Sequence, residues 1–176
     1  MVAVVLTLKL FAKEGLRMQG AVLQNVIQLG IVVDDALKAA KITCALFDID
    51  PEMIDIMDFS EEAVRVNYSG KEIASHLKIA TVKKEKLEFE FIQFVGGDAN
   101  SHKDFYDRNG PGLQHICVSV SNYKAAIQCL EELGANSLIK GGDDETGYYR
   151  YMDLRELNGL IIELYDEKLS AQRALE

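Results

Sequence analysis

The sequence predicts an α+β fold in which two tandem βαβββ modules bend into one curved mixed sheet around a cleft. Three observations predict it. Gln28-Leu29-Gly30-Ile31-Val32-Val33 and His115-Ile116-Cys117-Val118-Ser119-Val120 carry one pattern at an offset of 87 residues, a metal-capable side chain heading an apolar strand. Each strand runs into an Asx or Ser turn and then an amphipathic helix. Phe89-Glu90-Phe91 and Ile162-Glu163-Leu164 match at an offset of 73, so each half also closes on a strand with an embedded glutamate. Self-similarity at a fixed offset marks a repeated supersecondary unit.

Residues 1–21 read as an N-terminal arm or strand. Val4, Leu6, Leu8 and Leu10 alternate with Val5, Thr7 and Lys9, which suits an extra strand packed on the domain or on a partner subunit. A leader ending near Met18 would show the same alternation. The first module spans 22–95. Val26 to Val33 is almost continuously apolar, as in a strand buried on both faces. Asp34 or Asp35 caps the helix that follows, in which Leu37, Ala40, Cys44 and Phe47 fall on one face. Strands are expected at 63–68, 77–82 and 87–95, separated by Ser69-Gly70 and by the charged turn 83–86.

Residues 96–111 are rich in Gly, Asp, Asn and Ser and end in Gly110-Pro111-Gly112, so they read as a linker without regular structure. The second module spans 112–166 and repeats the order of the first. His115 to Val120 is its strand, Ser121 or Asn122 its cap, and Tyr123, Ile127, Leu130 and Leu133 its helix face. Gly134 stands where a helix needs a left-handed residue to stop. Strands at 137–140, 148–153 and 160–165 follow, the first two joined by a Gly-Gly-Asp-Asp hairpin, and 167–176 form a polar tail.

A chain of 176 residues, 48% hydrophobic, suffices for one core shared by two small halves. The net charge of −9 and the interruption of Lys83-Lys84 and Lys86 by Glu85 argue against nucleic acid as a partner, because phosphate binding needs a clustered positive face. Cys44, Cys117 and Cys129 are odd in number, far apart and set among apolar neighbours. They read as reduced core residues of a cytoplasmic protein rather than a disulfide frame or zinc knuckle. No stretch approaches the roughly 18–20 uninterrupted apolar residues of a membrane span.

The duplication brings four candidate metal ligands together: Gln28, Glu90, His115 and Glu163. Equivalent positions on the first and last strands of two related sheets point into one concavity. Singly, each has a plainer reading. His115 suits a hydrogen-bonded core histidine, Gln28 a polar strand end, and Glu90, two residues after Glu88, a solvated strand face. Glu163 differs, because it lies among Ile161, Ile162, Leu164 and Tyr165, where a carboxylate needs a charge partner. One imidazole and three oxygen donors suit zinc, nickel, cobalt, manganese or magnesium.

From about Val26 to Asp166 the chain resembles the vicinal oxygen chelate superfamily, which includes glyoxalase I, methylmalonyl-CoA epimerase, extradiol dioxygenases and bleomycin-resistance proteins. The resemblance rests on Gly112-Leu113-Gln114-His115-Ile116, on Ser101-His102-Lys103-Asp104-Phe105-Tyr106, and on Asp153-Leu154-Arg155 through Gly159-Leu160-Ile161-Ile162-Glu163-Leu164. It implies a metal site at Gln28, Glu90, His115 and Glu163, with Gln28 departing from the histidine usual in the epimerase branch. The set is similar to that of zinc-type glyoxalase I, although Glu156-Leu157-Asn158-Gly159 replaces the turn found there.

What the resemblance implies is a divalent-metal lyase or isomerase that removes a proton next to a carbonyl. Glu163 is the expected base and Glu90 its partner on the other face of the carbon. The expected partners are a small carbonyl or thioester substrate and a second copy of the chain. A single histidine argues against the two-histidine iron site of a dioxygenase, and His76 and His102 fall outside the duplicated positions. Tyr148, Tyr149, Arg150 and Tyr151 read as ordinary strand residues near the rim. The alternative is a metal-free protein that binds a small molecule, of the bleomycin-resistance type.

Overall fold

A computed structural model of the chain describes residues 23–141 and 149–165. The predicted arm, the tip of the Gly-Gly-Asp-Asp hairpin, Tyr148 and the tail lie outside the described residues. The elements in chain order are β1 (Leu23–Val32), α1 (Ala36–Phe47), a 3-10 turn (Pro51–Met53), β2 (Asp55–Asp58), β3 (Val64–Tyr68), β4 (Lys71–Lys84) and β5 (Leu87–Gly97). They continue with α2 (Ser101–Asn109), β6 (Gly112–Val120), α3 (Tyr123–Glu132), β7 (Asn136–Gly141), β8 (Tyr149–Leu154), the one-turn α4 (Arg155–Asn158) and β9 (Leu160–Tyr165). The result is a mixed α+β fold with one strongly curved sheet.

Strand order is β2-β4-β3-β7-β8-β9-β6-β1-β5, and β4 also pairs with β5. That last pairing closes eight strands into a ring, with β2 alongside β4. The halves meet at two seams. One is the long antiparallel pairing of β1 with β6, from Leu23 opposite Val120 to Val32 opposite Gly112. The other is short, Asn67 opposite Lys140 and Tyr68 opposite Ile139.

Both long helices begin as their sequences dictate. The Asp35 carboxylate accepts the Lys38 N–H at 2.9 Å, and Asn122 accepts the Ala125 N–H at 3.0 Å; such a cap is worth about 1 kcal/mol. α3 ends with Gly134 at a φ of 96°, and its Tyr123, Ala126 and Leu130 pack with Val118, Val120, Met152 and Leu164. The α1 face differs from expectation. Ala36, Ala40, Thr43 and Cys44 are buried, whereas Leu37 and Phe47 are 38% and 44% exposed. The small residues let α1 lie close on Ala80, Val82 and Phe91. All three cysteines are free thiols, with Cys44 and Cys117 buried and Cys129 half-buried.

Two segments carry more structure than their sequence predicts. Residues 96–111 contain α2, started by the Asn100 carboxamide oxygen, which accepts the N–H groups of His102 and Lys103, both at 3.0 Å. The first half also has an extra strand, β2, whose four residues are all exposed and therefore show no apolar alternation. No helix among the described residues is long and apolar enough to cross a membrane.

Candidate metal centre

The site is built on the β1–β6 seam and the strands flanking it. β5 runs parallel to β1, and β9 runs parallel to β6. Gly30 faces His115 across the seam and Gln28 faces Cys117. Outside them, Gly30 is beside Glu90, Gln28 beside Glu88, and Cys117 beside Glu163. These pairings obey the two offsets seen in the sequence, so the register is a true internal twofold. Gln28, Glu88, Glu90, Cys117 and Glu163 all line one cavity of about 1400 Å³.

Three of the four predicted ligands meet there. The donor atoms of Glu90, His115 and Glu163 lie within 4.8 Å of one another. His115 Nε2 is 3.2 Å from Glu163 Oε2 and 3.6 Å from Glu90 Oε2. On its other side, His115 Nδ1 is 2.5 Å from Gln114 Oε1, and Gln114 Nε2 is 3.4 Å from Ser101 Oγ. The imidazole has room because residue 30 is glycine. A β-carbon there would fall 1.8 Å from His115 Cε1, inside the ring. Gln28 is half-buried on the same wall, and its amide donates to Glu88 Oε1 at 2.7 Å.

The electrostatics favour a cation. Glu90 is held well above the usual carboxylate range, first by burial, then by the charges of Glu163 and Glu88. Its Oε2 and His115 Nε2 are buried without a hydrogen-bond partner. Among the described residues no lysine or arginine forms an ion pair with Glu90 or Glu163. Two carboxylates and one imidazole converging without a countercharge are an expensive arrangement unless a metal completes it. The donor set fits a divalent ion of the zinc type, and the Gln114 contact supplies the outer hydrogen bond that orients a ligating histidine.

Comparison with known proteins places this architecture. Residues 27–151 match the model of the Glyoxalase/Bleomycin resistance protein/Dioxygenase superfamily. The chain belongs to that superfamily. No curated protein sequence matches it significantly. Among solved structures, methylmalonyl-CoA epimerase from Mycobacterium tuberculosis aligns over 89% of this chain and 97% of its own, with 16% identity and a TM-score of 0.56. A hypothetical protein from Bacillus halodurans covers 81% of this chain and 94% of its own, with 15% identity and a TM-score of 0.56. Methylmalonyl-CoA epimerase from Streptomyces coelicolor, in complex with 2-nitronate-propionyl-CoA, covers 82% and 94%, with 14% identity and a TM-score of 0.52. At these identities the likeness is one of fold.

Within this glyoxalase-superfamily cavity stand residues that sequence reasoning placed elsewhere. Tyr151, read as a strand residue near the rim, is 6% exposed and packs edge-on against His115 and His102, at centroid distances of 4.7 and 5.8 Å. Arg150 is half-buried. His102 lines the cavity from α2; burial, then the nearby His115, pull its pKa down to about 3. Burial first, then the charges of Glu163 and Glu90, pushes the Cys117 thiol and Tyr151 hydroxyl up. Glu90 is no solvated strand residue, its side chain being 12% exposed. His76 behaves as expected of a bystander, its Nδ1 lying 3.2 Å from the Phe59 carbonyl. The cap Asn100 was the one signal that could have revealed α2, and with it His102.

Proposed function

We propose that this protein is a divalent-metal-dependent lyase or isomerase that moves a proton on a carbon next to a carbonyl. One observation carries the reading: Glu90, His115 and Glu163 converge with two ligand atoms buried and unpartnered. Glu90, His115 and Glu163 would hold the ion, with Gln28 as the fourth donor once its amide leaves Glu88. When bound, such an ion stabilises negative charge developing on the carbonyl oxygen.

The remaining work belongs to the chain. Glu163 and Glu90 reach the centre from β9 and β5, twofold-related strands on opposite sides of the seam. This arrangement supports removal of the proton by Glu163 on one face of the carbon and its return by Glu90 on the other. Leu77, Ile79, Ile92 and Ile139 give the cavity wall an apolar stretch against which a substrate can pack. The substrate class is a small carbonyl compound or a thioester, the latter because methylmalonyl-CoA epimerases share the fold. The resemblance further supports a cytoplasmic homodimer, which sedimentation equilibrium checks.

Metal analysis of protein purified without added metal, followed by solvent deuterium exchange into α-hydroxyketones and thioesters, tests the reading. Stoichiometric metal and exchange are expected. The breadth of the cavity favours one second reading, a metal-free small-molecule binder. Protein without metal, whose melting temperature no divalent ion raises, would select that second reading.

A further inference from the structure

Gln114 and His115 are neighbours in sequence, and in a regular strand their side chains would leave opposite faces of the sheet. They meet instead, His115 Nδ1 lying 2.5 Å from Gln114 Oε1. The cause is a break in the β1–β6 ladder. Gly30 faces His115 and the next residue, Ile31, faces Leu113, so Gln114 has no counterpart and is the extra residue of a β-bulge. The first half carries the same irregularity. Val26 faces Val118 and Gln28 faces Cys117, which leaves Ile27 as the extra residue of β1. Ile27 and Gln114 are 87 residues apart, the offset of the repeat.

The duplicated bulge thus sets an isoleucine beside one predicted ligand and an amide beside the other. Gln28 finds its partner elsewhere, in Glu88. His115 has Gln114, whose side chain is closed off from water at 5% exposure, where an unpaired amide is costly. The first turn of α2 supplies the second partner. Ser101, itself 4% exposed, places its Oγ 3.4 Å from Gln114 Nε2. α2 is fixed in turn by its Asn100 cap and by Asp104, which accepts from the Tyr68 hydroxyl on β3. With its nitrogen on Ser101 the amide presents oxygen to the imidazole, so His115 donates from Nδ1 and keeps a lone pair on Nε2. Nε2 is the nitrogen that faces Glu90 and Glu163.

We propose that Gln114 and Ser101 are positioning residues of the metal centre: the β6 bulge turns Gln114 beside His115, and Ser101 holds the amide with its oxygen on the imidazole. This rests on the metal reading above. It ties α2, which supplies none of the predicted ligands, to the orientation of one of them. It also gives the bulge of the second half a task that the bulge of the first half, with Ile27, does not share.

Zinc binding to the full chain, read by competition with a chelator, tests it. Gln114→Ile, which gives the second bulge the residue of the first, should weaken zinc binding about 10–100-fold. Ser101→Ala should weaken it about two- to tenfold, the worth of one ordinary hydrogen bond. Gln114→Glu, which keeps an acceptor oxygen at Nδ1, should bind zinc at least as tightly as the unchanged protein. Ile27→Ala, at the twofold-related bulge, should leave zinc affinity as it was. In zinc-loaded protein labelled at histidine, the His115 Nδ1–H resonance should stand far downfield and exchange slowly with water. Unchanged zinc affinity in Gln114→Ile, an equal loss from Ile27→Ala, or fast exchange of that proton would overturn the proposal while leaving the metal reading intact. Failure of the unchanged protein to bind zinc would overturn both. The spectrum needs no substitution, so a variant that fails to fold does not shield the idea.

Discussion

The two halves share a backbone register and differ in the side chains placed on it. Where the second half has His115, the first has Gln28; where the first has Gly30, the second has Cys117; where the first has Glu88, the second has Ile161. The glycine decides the difference. His115 lies across the seam into space that any β-carbon at residue 30 would fill. The twofold would lay a histidine at position 28 over residue 117 in the same way, and there a β-carbon stands. Cys117 thus offers a physical reason for Gln28: the duplicated frame has room for one imidazole across its seam. Glu88 then takes the Gln28 amide, a service Ile161 could not render.

Four experiments would break or sharpen this contrast. The largest effect is expected from the paired carboxylates. Glu163→Gln should lower solvent deuterium exchange by about 10²–10⁴-fold, the usual contribution of a general base. Glu90→Gln should mainly slow return of the proton on the other face, visible as altered stereochemistry of incorporated deuterium. Equal losses from both would mean that the halves do the same job.

Gly30→Ala comes next. The clash with His115 should cost about 1–3 kcal/mol in thermal unfolding and weaken zinc binding about 10–100-fold by turning the ligand. The twofold counterpart, Cys117→Ala, should cost about 1 kcal/mol and leave zinc affinity nearly unchanged. Third, Gln28→His alone should not tighten zinc binding, whereas Gln28→His with Cys117→Gly should tighten it on the order of tenfold, as read by competition with a chelator. A gain from the single substitution would remove the steric account.

The smallest effect lies at the short seam. The Tyr68 hydroxyl donates to Asp104 at 2.5 Å, and burial, then that contact, raises its pKa from 10.0 to about 12. A phenol that ionises later when folded stabilises the fold fully below the unfolded pKa. That contribution fades as pH rises from about 10 through about 12. Tyr68→Phe should flatten the decline in alkaline stability over that window.

Much of this was readable because apolar periodicity and duplication speak loudly in β1, β6, α3 and β9. Glu163 was conspicuous for its apolar neighbours, and His115 for its repeat partner. The rest was hidden for definite reasons. α2 is written in Ser, His, Lys, Asp, Arg and Asn, with Phe105 and Tyr106 its only large apolar residues, so it shows no hydrophobic stripe, and His102 went unnoticed with it. α1 buries alanines, which leaves its exposed leucines and Phe47 to mislead a count of large residues. Tyr149 and Tyr151 point to the same side of β8, and nothing in the chain says that Tyr151 reaches the two imidazoles. The capture of Gln28 by Glu88 depends on the parallel pairing of β1 with β5, a contact between strands 60 residues apart.

The ring of strands is fastened unequally. Its long seam and the strands flanking it carry the candidate ligands, and its short one is joined by two register pairs among the described residues. In mechanical terms the molecule is a hoop riveted where the ligands must keep their spacing and lightly clasped on the far side. Strain introduced by a bulky occupant would be relieved at the clasp, so a ligand could widen the cavity without disturbing the atoms that act on it.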